Sequence, residues 1–256
     1  MIFVTGGTAV KVNVATWAAL EARVSERFAQ RRGFALATLN LDHLVKLGSD
    51  AAFRKAYAAQ DLVTADGNPI VWMARIAGQP VGLVTGSDAV LPLARIAARQ
   101  GVTVALLGGT AETLRAAKSV LEREVRDLNV VLSIAPPMGF DPHGEAAEAA
   151  LQEIAASGAR LCFVAMGAPK QEILAARGRD IAPEVGFASI GAGLDFIAGT
   201  QPRAPDWARR FAVEWLWRAL SEPKRLIPRY LACAAILPGQ TARALYLRLR
   251  PRVNEA

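Results

Sequence analysis

Between Gly33 and Gly191 short, uninterrupted apolar runs alternate with longer stretches of helical periodicity, and this alternation limits the fold more than any other feature. The runs "GFALATLN", "LVTAD", "VTVALLGG", "NVVLSI", "RLCFVAMG" and "VGFASIG" read as strands. Each is apolar on both faces, so both faces must be covered. That is the signature of a mainly parallel α/β sheet with helices on both sides and right-handed crossovers.

Ahead of this region a short strand is expected near Lys11 to Val14, then a helix from about Thr16 to Arg32 closed by Gly33. One helix is expected from about Leu41 to Ala58. Pro69 opens another in the first turn, where its missing N–H costs nothing. Ser87 and Asp88 are expected to cap a helix ending at Gly101, and Thr110 to cap "AETLRAAKSVLEREV". From Pro205 onward no strand-like stretch occurs, and the pattern reads as basic amphipathic helices broken at Pro223, Pro228 and Pro238. The expected division is a smaller N-terminal lobe over 1–86, a nucleotide-binding lobe over 87–202 and a C-terminal helical appendage over 203–256. Because the appendage follows the last strand, a chain ending near Gly199 is expected to keep its sheet.

With 52% hydrophobic and 21% charged residues, the 256-residue chain is not a disordered one. Two distant cysteines, Cys162 and Cys233, form no disulfide framework and point to a reducing compartment. The opening "MIFVTGGTAVKV" lacks the basic region of a signal peptide, and no apolar window is long enough to span a bilayer. The charge of +7 is uneven: after Gly199, Arg203, Arg209, Arg210, Arg218, Lys224, Arg225 and Arg229 lie among Trp207, Trp215 and Trp217. Basic residues mixed with Trp, Leu and Ile favour an anionic membrane surface over nucleic acid.

Ligands of open parallel sheets bind beyond the carboxyl ends of the strands. Asn40 follows "ALATL" there, Asp66 follows "LVTA", Gly108, Gly109 and Thr110 follow "VALL", Gly167 follows "CFVAM", and Gly191 follows "FASI". Glycine lets a ligand approach the backbone, and the helix beyond it offers N–H groups to a phosphate. "LLGGTAET" and "AMGAPKQE", the latter with Lys170 and Gln171, are therefore candidate anion cradles. Packing alone also explains many such glycines. Asp66 can cap the Asn68–Pro69 helix, and Thr38 and Asn40 can bond within their own turn. Together the three can instead form a polar pocket facing the cradles.

Other chemistry lacks its signature. No G-x-G-x-x-G follows a strand, although "VTGGTAV" resembles such a turn superficially, and neither a P-loop nor H-E-x-x-H occurs. His43 and His143 have no neighbour at metal-ligand spacing, and no Asp-x-Asp pair exists to clamp a metal diphosphate. His43 reads as a residue of a helix face and His143 as one of a loop.

The stretches "TLNLDHL", "TADGNPIVWMAR", "VTGSD", "LLGGTAET", "AMGAPKQE", "GAGLDFIAGTQPRAPDW" and "EWLWRALSEPKRLIPRYL" occur in that order over residues 5 to 232. In this the sequence resembles the WecG/TagA/CpsF glycosyltransferase family, glycosyltransferase family 26. The resemblance implies a Rossmann-like sheet and a transfer that inverts the anomeric centre. A hexose or N-acetylhexosamine moves from a UDP-sugar to a polyprenyl-diphosphate-linked saccharide at the inner membrane face, without metal or other cofactor. It implies a base at Asp66, with Thr38 and Asn40 beside it. It implies donor contacts from Gln171 and from the appendage residues Arg218 and Arg225, and it adds Asp195 of "GLDF" to the candidates. A homo-oligomer is compatible with it. Leu83 stands where relatives often carry Arg before "VTG", and Leu194 where they carry an aromatic residue. Two other classes stay open: a nucleotide-dependent oxidoreductase or epimerase resting on the sheet type and "VTGGT", and a catalytically silent membrane scaffold resting on the basic tail.

Overall fold

The computed structural model describes residues 1–202, 204–205, 214–221 and 223–249; of residues 214, 218, 221 and 225 it describes the backbone alone. The elements run β1 (Ile2–Thr5), β2 (Thr8–Lys11), α1 (Trp17–Ala29), β3 (Phe34–Leu39), α2 (Leu41–Ser49), α3 (Ala51–Ala58), β4 (Leu62–Ala65) and α4 (Asn68–Ile76). They continue as α5 (Gly86–Arg99), β5 (Val104–Gly108), α6 (Ala111–Glu124), β6 (Val130–Ile134), α7 (Glu145–Ala156), β7 (Leu161–Ala165), α8 (Lys170–Ile181), β8 (Gly186–Ser189) and α9 (Gly193–Ala198). Two further helices, Glu214–Ser221 and Pro223–Leu249, follow.

Six strands form one parallel sheet in the order β4-β3-β8-β7-β5-β6, flanked by helices, which is a Rossmann-like α/β architecture. The central pairing of β3 with β8 joins the N-terminal strands to the later four. One core layer lies between the sheet and α1, α5 and α6, centred on Leu36, Leu106 and Phe163. Another, with Leu107, Leu151 and Phe187, lies under α7 and α8.

The N-terminus departs from expectation. Residues 1–11 form an antiparallel hairpin, with Ile2 opposite Lys11 and Thr5 opposite Thr8. Gly6 and Gly7, at φ 52° and 76°, make its two-residue turn. Two positive-φ residues are what a tight hairpin needs. "VTGGTAV" is therefore a hairpin turn outside the parallel sheet, and the oxidoreductase reading loses the motif it rested on.

The expected 41–58 helix is two helices. Asp50 ends α2, and its carboxylate accepts the Phe53 N–H at 2.9 Å to begin α3. Thr85, rather than Ser87 or Asp88, is the N-cap of α5. The last helix runs unbroken from Pro223 to Leu249 through Pro228 and Pro238. Pro223 occupies the first helical position, which tolerates it. That helix is part of the core: Ala244 is fully buried, and Ile236, Leu237 and Leu247 pack against the cluster holding Phe3, Ile70 and Met73. Gln240 donates to the Val4 carbonyl at 3.1 Å, and Arg229 pairs with Asp42 on α2 at 3.1 Å. Among the described residues no helix is long and apolar enough to cross a membrane.

Candidate active site

Asp66 stands one residue past β4, and its N–H donates to the Leu39 carbonyl at the end of β3, 2.8 Å away. Its Oδ2 accepts the Thr38 hydroxyl at 3.1 Å. The N-cap of α4 is Gly67, at φ 95°, with no side-chain capping bond. So Asp66 is not the cap of the Asn68–Pro69 helix. Its carboxylate belongs to a pair made by two adjacent strand ends.

Asn40 behaves differently from Thr38. Its Oδ1 accepts the His43 N–H at 2.9 Å and caps α2, which is the local bonding its position allows. Leu83 makes a parallel bridge to Ala65, and the Val84 N–H donates to the Ala65 carbonyl at 2.9 Å. This segment extends the sheet edge past β4 and brings the N-terminus of α5, with Thr85, to the same end as Asp66. Spacing along the chain gives no hint of that, because the bridge forms only once the sheet exists.

Both glycine-rich turns line one cleft of about 270 Å³, walled by Gly109, Pro136, Phe140, Met166, Gly167 and Lys170. The two glycines of "LLGGT" do different jobs. Gly108, at φ 121°, lies so close to β7 that a Cβ there would sit 2.2 Å from the Ala165 carbonyl oxygen; Gly109 lines the cleft. A Cβ on Gly167 would meet nothing within 4 Å. Thr110 caps α6 through the Thr113 N–H at 3.1 Å. Lys170 donates to the Phe140 carbonyl at 2.7 Å. An ammonium has three donors, so two remain for an anion.

Gln171 is buried, at 3% exposure. Its Oε1 accepts the Gly191 N–H at 2.9 Å, and its Nε2 donates to Glu172 Oε1 at 2.8 Å. It braces the turn after β8, and its amide oxygen and nitrogen are both engaged by the protein. Asp195 accepts from the Thr200 hydroxyl, and partial burial raises its carboxyl above the usual range while that bond lowers it. Arg218 and Arg225 lie on the two C-terminal helices, and their side chains lie outside the described residues.

Glu172, which the sequence reading passed over, is fully buried. Burial pushes its carboxyl up to about 7, against the opposing hydrogen bond from Gln171. His43 is buried beside it and held down to about 4, again chiefly by burial. Among the described residues no three of His, Cys, Asp and Glu gather as metal ligands.

The site is thus a carboxylate–hydroxyl pair at β3 and β4 and a glycine- and lysine-lined cleft at β5, β6 and β7, with β8 and its braced turn between them. The Glycosyl transferase WecG/TagA/CpsF family model matches residues 7–250.

Proposed function

The chain belongs to the WecG/TagA/CpsF glycosyltransferase family, and from that premise we propose that it transfers a sugar from a UDP-sugar, with inversion, to a polyprenyl-diphosphate-linked saccharide. The observation that carries the mechanism is the Thr38–Asp66 hydrogen bond at the carboxyl edge of the sheet. From β4 to β7 is three inter-strand steps. At about 4.8 Å each they span roughly 14 Å. That separation suits a donor whose nucleotide occupies the cleft and whose sugar reaches toward Asp66.

Asp66 takes the proton of the acceptor hydroxyl as that oxygen bonds to the anomeric carbon. The bond from that carbon to the UDP oxygen breaks, and the electron pair leaves with UDP. General-base assistance of this kind is worth about 10²–10⁴-fold. The charge gathering on UDP meets the N-termini of α6 and α8 and the Lys170 ammonium, preorganised donors that act without reorganising. Arg218 and Arg225 are proposed to add cationic contacts from the C-terminal helices.

The acceptor's lipid places the reaction at a membrane surface. Trp215, Leu216, Trp217, Leu220, Ile227 and Leu231 are exposed on the two C-terminal helices. Exposed apolar residues beside basic ones suit the headgroup boundary of an anionic bilayer. A thermal-shift panel of UDP, several UDP-sugars and NAD(P) tests the nucleotide assignment. A ligand at 100 times its Kd adds about 2.7 kcal/mol of stability. Stabilisation by UDP compounds is expected; stabilisation by NAD(P) alone would overturn the reading.

A further inference from the structure

The ladder between β3 and β8 ends with Leu36 opposite Ala188. Thr38 lies two residues beyond. Successive carbonyls along a strand point to opposite sides, and that of Leu39 accepts the Asp66 N–H on the β4 side. The Thr38 carbonyl therefore faces the β8 side, past the last paired residue. A buried carbonyl left there without a donor would keep its full desolvation cost.

Two side chains fill the gap. The Tyr57 hydroxyl donates to the Thr38 carbonyl at 2.8 Å, and His43 Nδ1 lies 2.6 Å from the same oxygen. A carbonyl only accepts, so Nδ1 carries the hydrogen. The ring is neutral near pH 7, since burial holds its pKa to about 4. Nε2 is then a lone pair, and it faces Glu172 Oε1 at 3.9 Å. Asp42 and Lys46 from α2, Arg229 from the C-terminal helix and Glu172 from α8 are the charged groups around these rings, with Asp66 beyond Tyr57.

We propose that His43 and Tyr57 are positioning residues for Asp66: they clamp the Thr38 peptide where the sheet stops supporting it, and so aim the Thr38 hydroxyl at the carboxylate. The inference rests on the reading of Asp66 as the base. The same cluster continues through Glu172 and Gln171 to the Gly191 N–H. The donor-side turn and the carboxylate pair thus share one buried polar frame.

Two measurements test this. Imidazole ¹⁵N spectra of the whole protein contain two rings, His43 and His143, and His143→Gln assigns them. The expected His43 ring is the Nδ1–H tautomer near neutral pH; an Nε2–H tautomer overturns the proposal. The second follows the Asp66 carboxyl by ¹³C titration, assigned by its loss in Asp66→Asn. A hydrogen bond to the ionised form favours that form, so loosening Thr38 with Tyr57→Phe and His43→Leu should raise the Asp66 midpoint by roughly half a pH unit. His43→Asn, which keeps a donor near the Nδ1 position, should restore part of the shift. Tyr57→Phe alone removes one oxygen and keeps the edge-on contact with Phe53 at 5.3 Å, so it serves if the double variant does not fold. An unmoved midpoint in a folded variant overturns the positioning role even when Asp66→Asn abolishes transfer. An active Asp66→Asn enzyme removes the base reading instead, whatever the titration shows.

Discussion

Glycines 108 and 167 lie in equivalent turns of the same cleft, yet a methyl group added to each should have opposite consequences. In Gly108→Ala the new Cβ falls 2.2 Å from the Ala165 oxygen and 2.7 Å from its carbon, both backbone atoms of β7, at φ 121°. The conformational strain costs about 1–3 kcal/mol, and forcing apart two packed strands adds about 1–3 kcal/mol. The sum is roughly 2–6 kcal/mol, and for a chain of this size about 2–4 °C per kcal/mol lowers Tm on the order of 10 °C. In Gly167→Ala the Cβ meets nothing within 4 Å. Its unfolding should stay within about 0.5 kcal/mol of the parent. The methyl instead enters the space assigned to the nucleotide and should weaken UDP roughly tenfold, about 1.4 kcal/mol. Thermal unfolding followed by circular dichroism and UDP titration calorimetry on both variants read the two effects. A Gly108→Ala protein melting with the parent would refute the packing argument. Unchanged UDP affinity in Gly167→Ala would remove the nucleotide from this cleft.

Three further outcomes follow from the same geometry. The raised Glu172 pKa means the folded state holds an extra proton between about pH 4.5 and 7, so this group lets stability fall as pH rises through that window. The lowered His43 pKa acts oppositely, with stability rising from about pH 4 to 6.5. The two slopes offset each other. Glu172→Gln should expose the His43 limb, and urea midpoints at about pH 5 and about pH 8 should then differ more than in the parent; an unaltered pH profile would contradict the buried-acid assignment. Deleting residues 200–256 strips Ala244, Ile236 and Leu237 from the core holding Phe3 and Met73. The shortened chain should melt lower or aggregate, and the intact chain should co-sediment with anionic vesicles and release partly in high salt; no vesicle binding by the intact chain would defeat the membrane reading. Transfer should survive excess EDTA, because the proposed stabilisation of UDP uses helix N-termini and cationic side chains; full loss restored by Mg²⁺ would show a carboxylate clamp.

The parallel sheet was legible because continuous apolar runs have no other means of covering both faces. The place of Asp66 at a strand end was legible too, and its bond with the Thr38 hydroxyl follows once β3 and β4 pair in register. What escaped depends on contacts between distant residues. His43 read as a helix-face residue, yet its partner is a carbonyl that becomes unsupported only where β8 stops pairing with β3. Glu172 ends "AMGAPKQE", a stretch that draws notice for Lys170 and Gln171, whereas α8 turns its carboxylate inward to bond with the Gln171 side chain. Pro228 and Pro238 are strong local breakers, but the helix carrying them is held by packing along the N-terminal core. The Gly-Gly turn near the N-terminus has the composition of a phosphate loop and of a hairpin alike, and pairing of Ile2–Thr5 with Thr8–Lys11 decides between them.

The most direct test of the central claim is sugar transfer by Asp66→Asn, measured beside the parent with the UDP-sugar that stabilises the protein and a polyprenyl-diphosphate-linked acceptor. Asn keeps the shape and can still accept from Thr38, but it cannot take the proton. A fall of roughly 10²-fold or more, with Tm and UDP affinity retained, is the predicted result. Turnover near that of the parent in a folded Asp66→Asn protein would contradict the account.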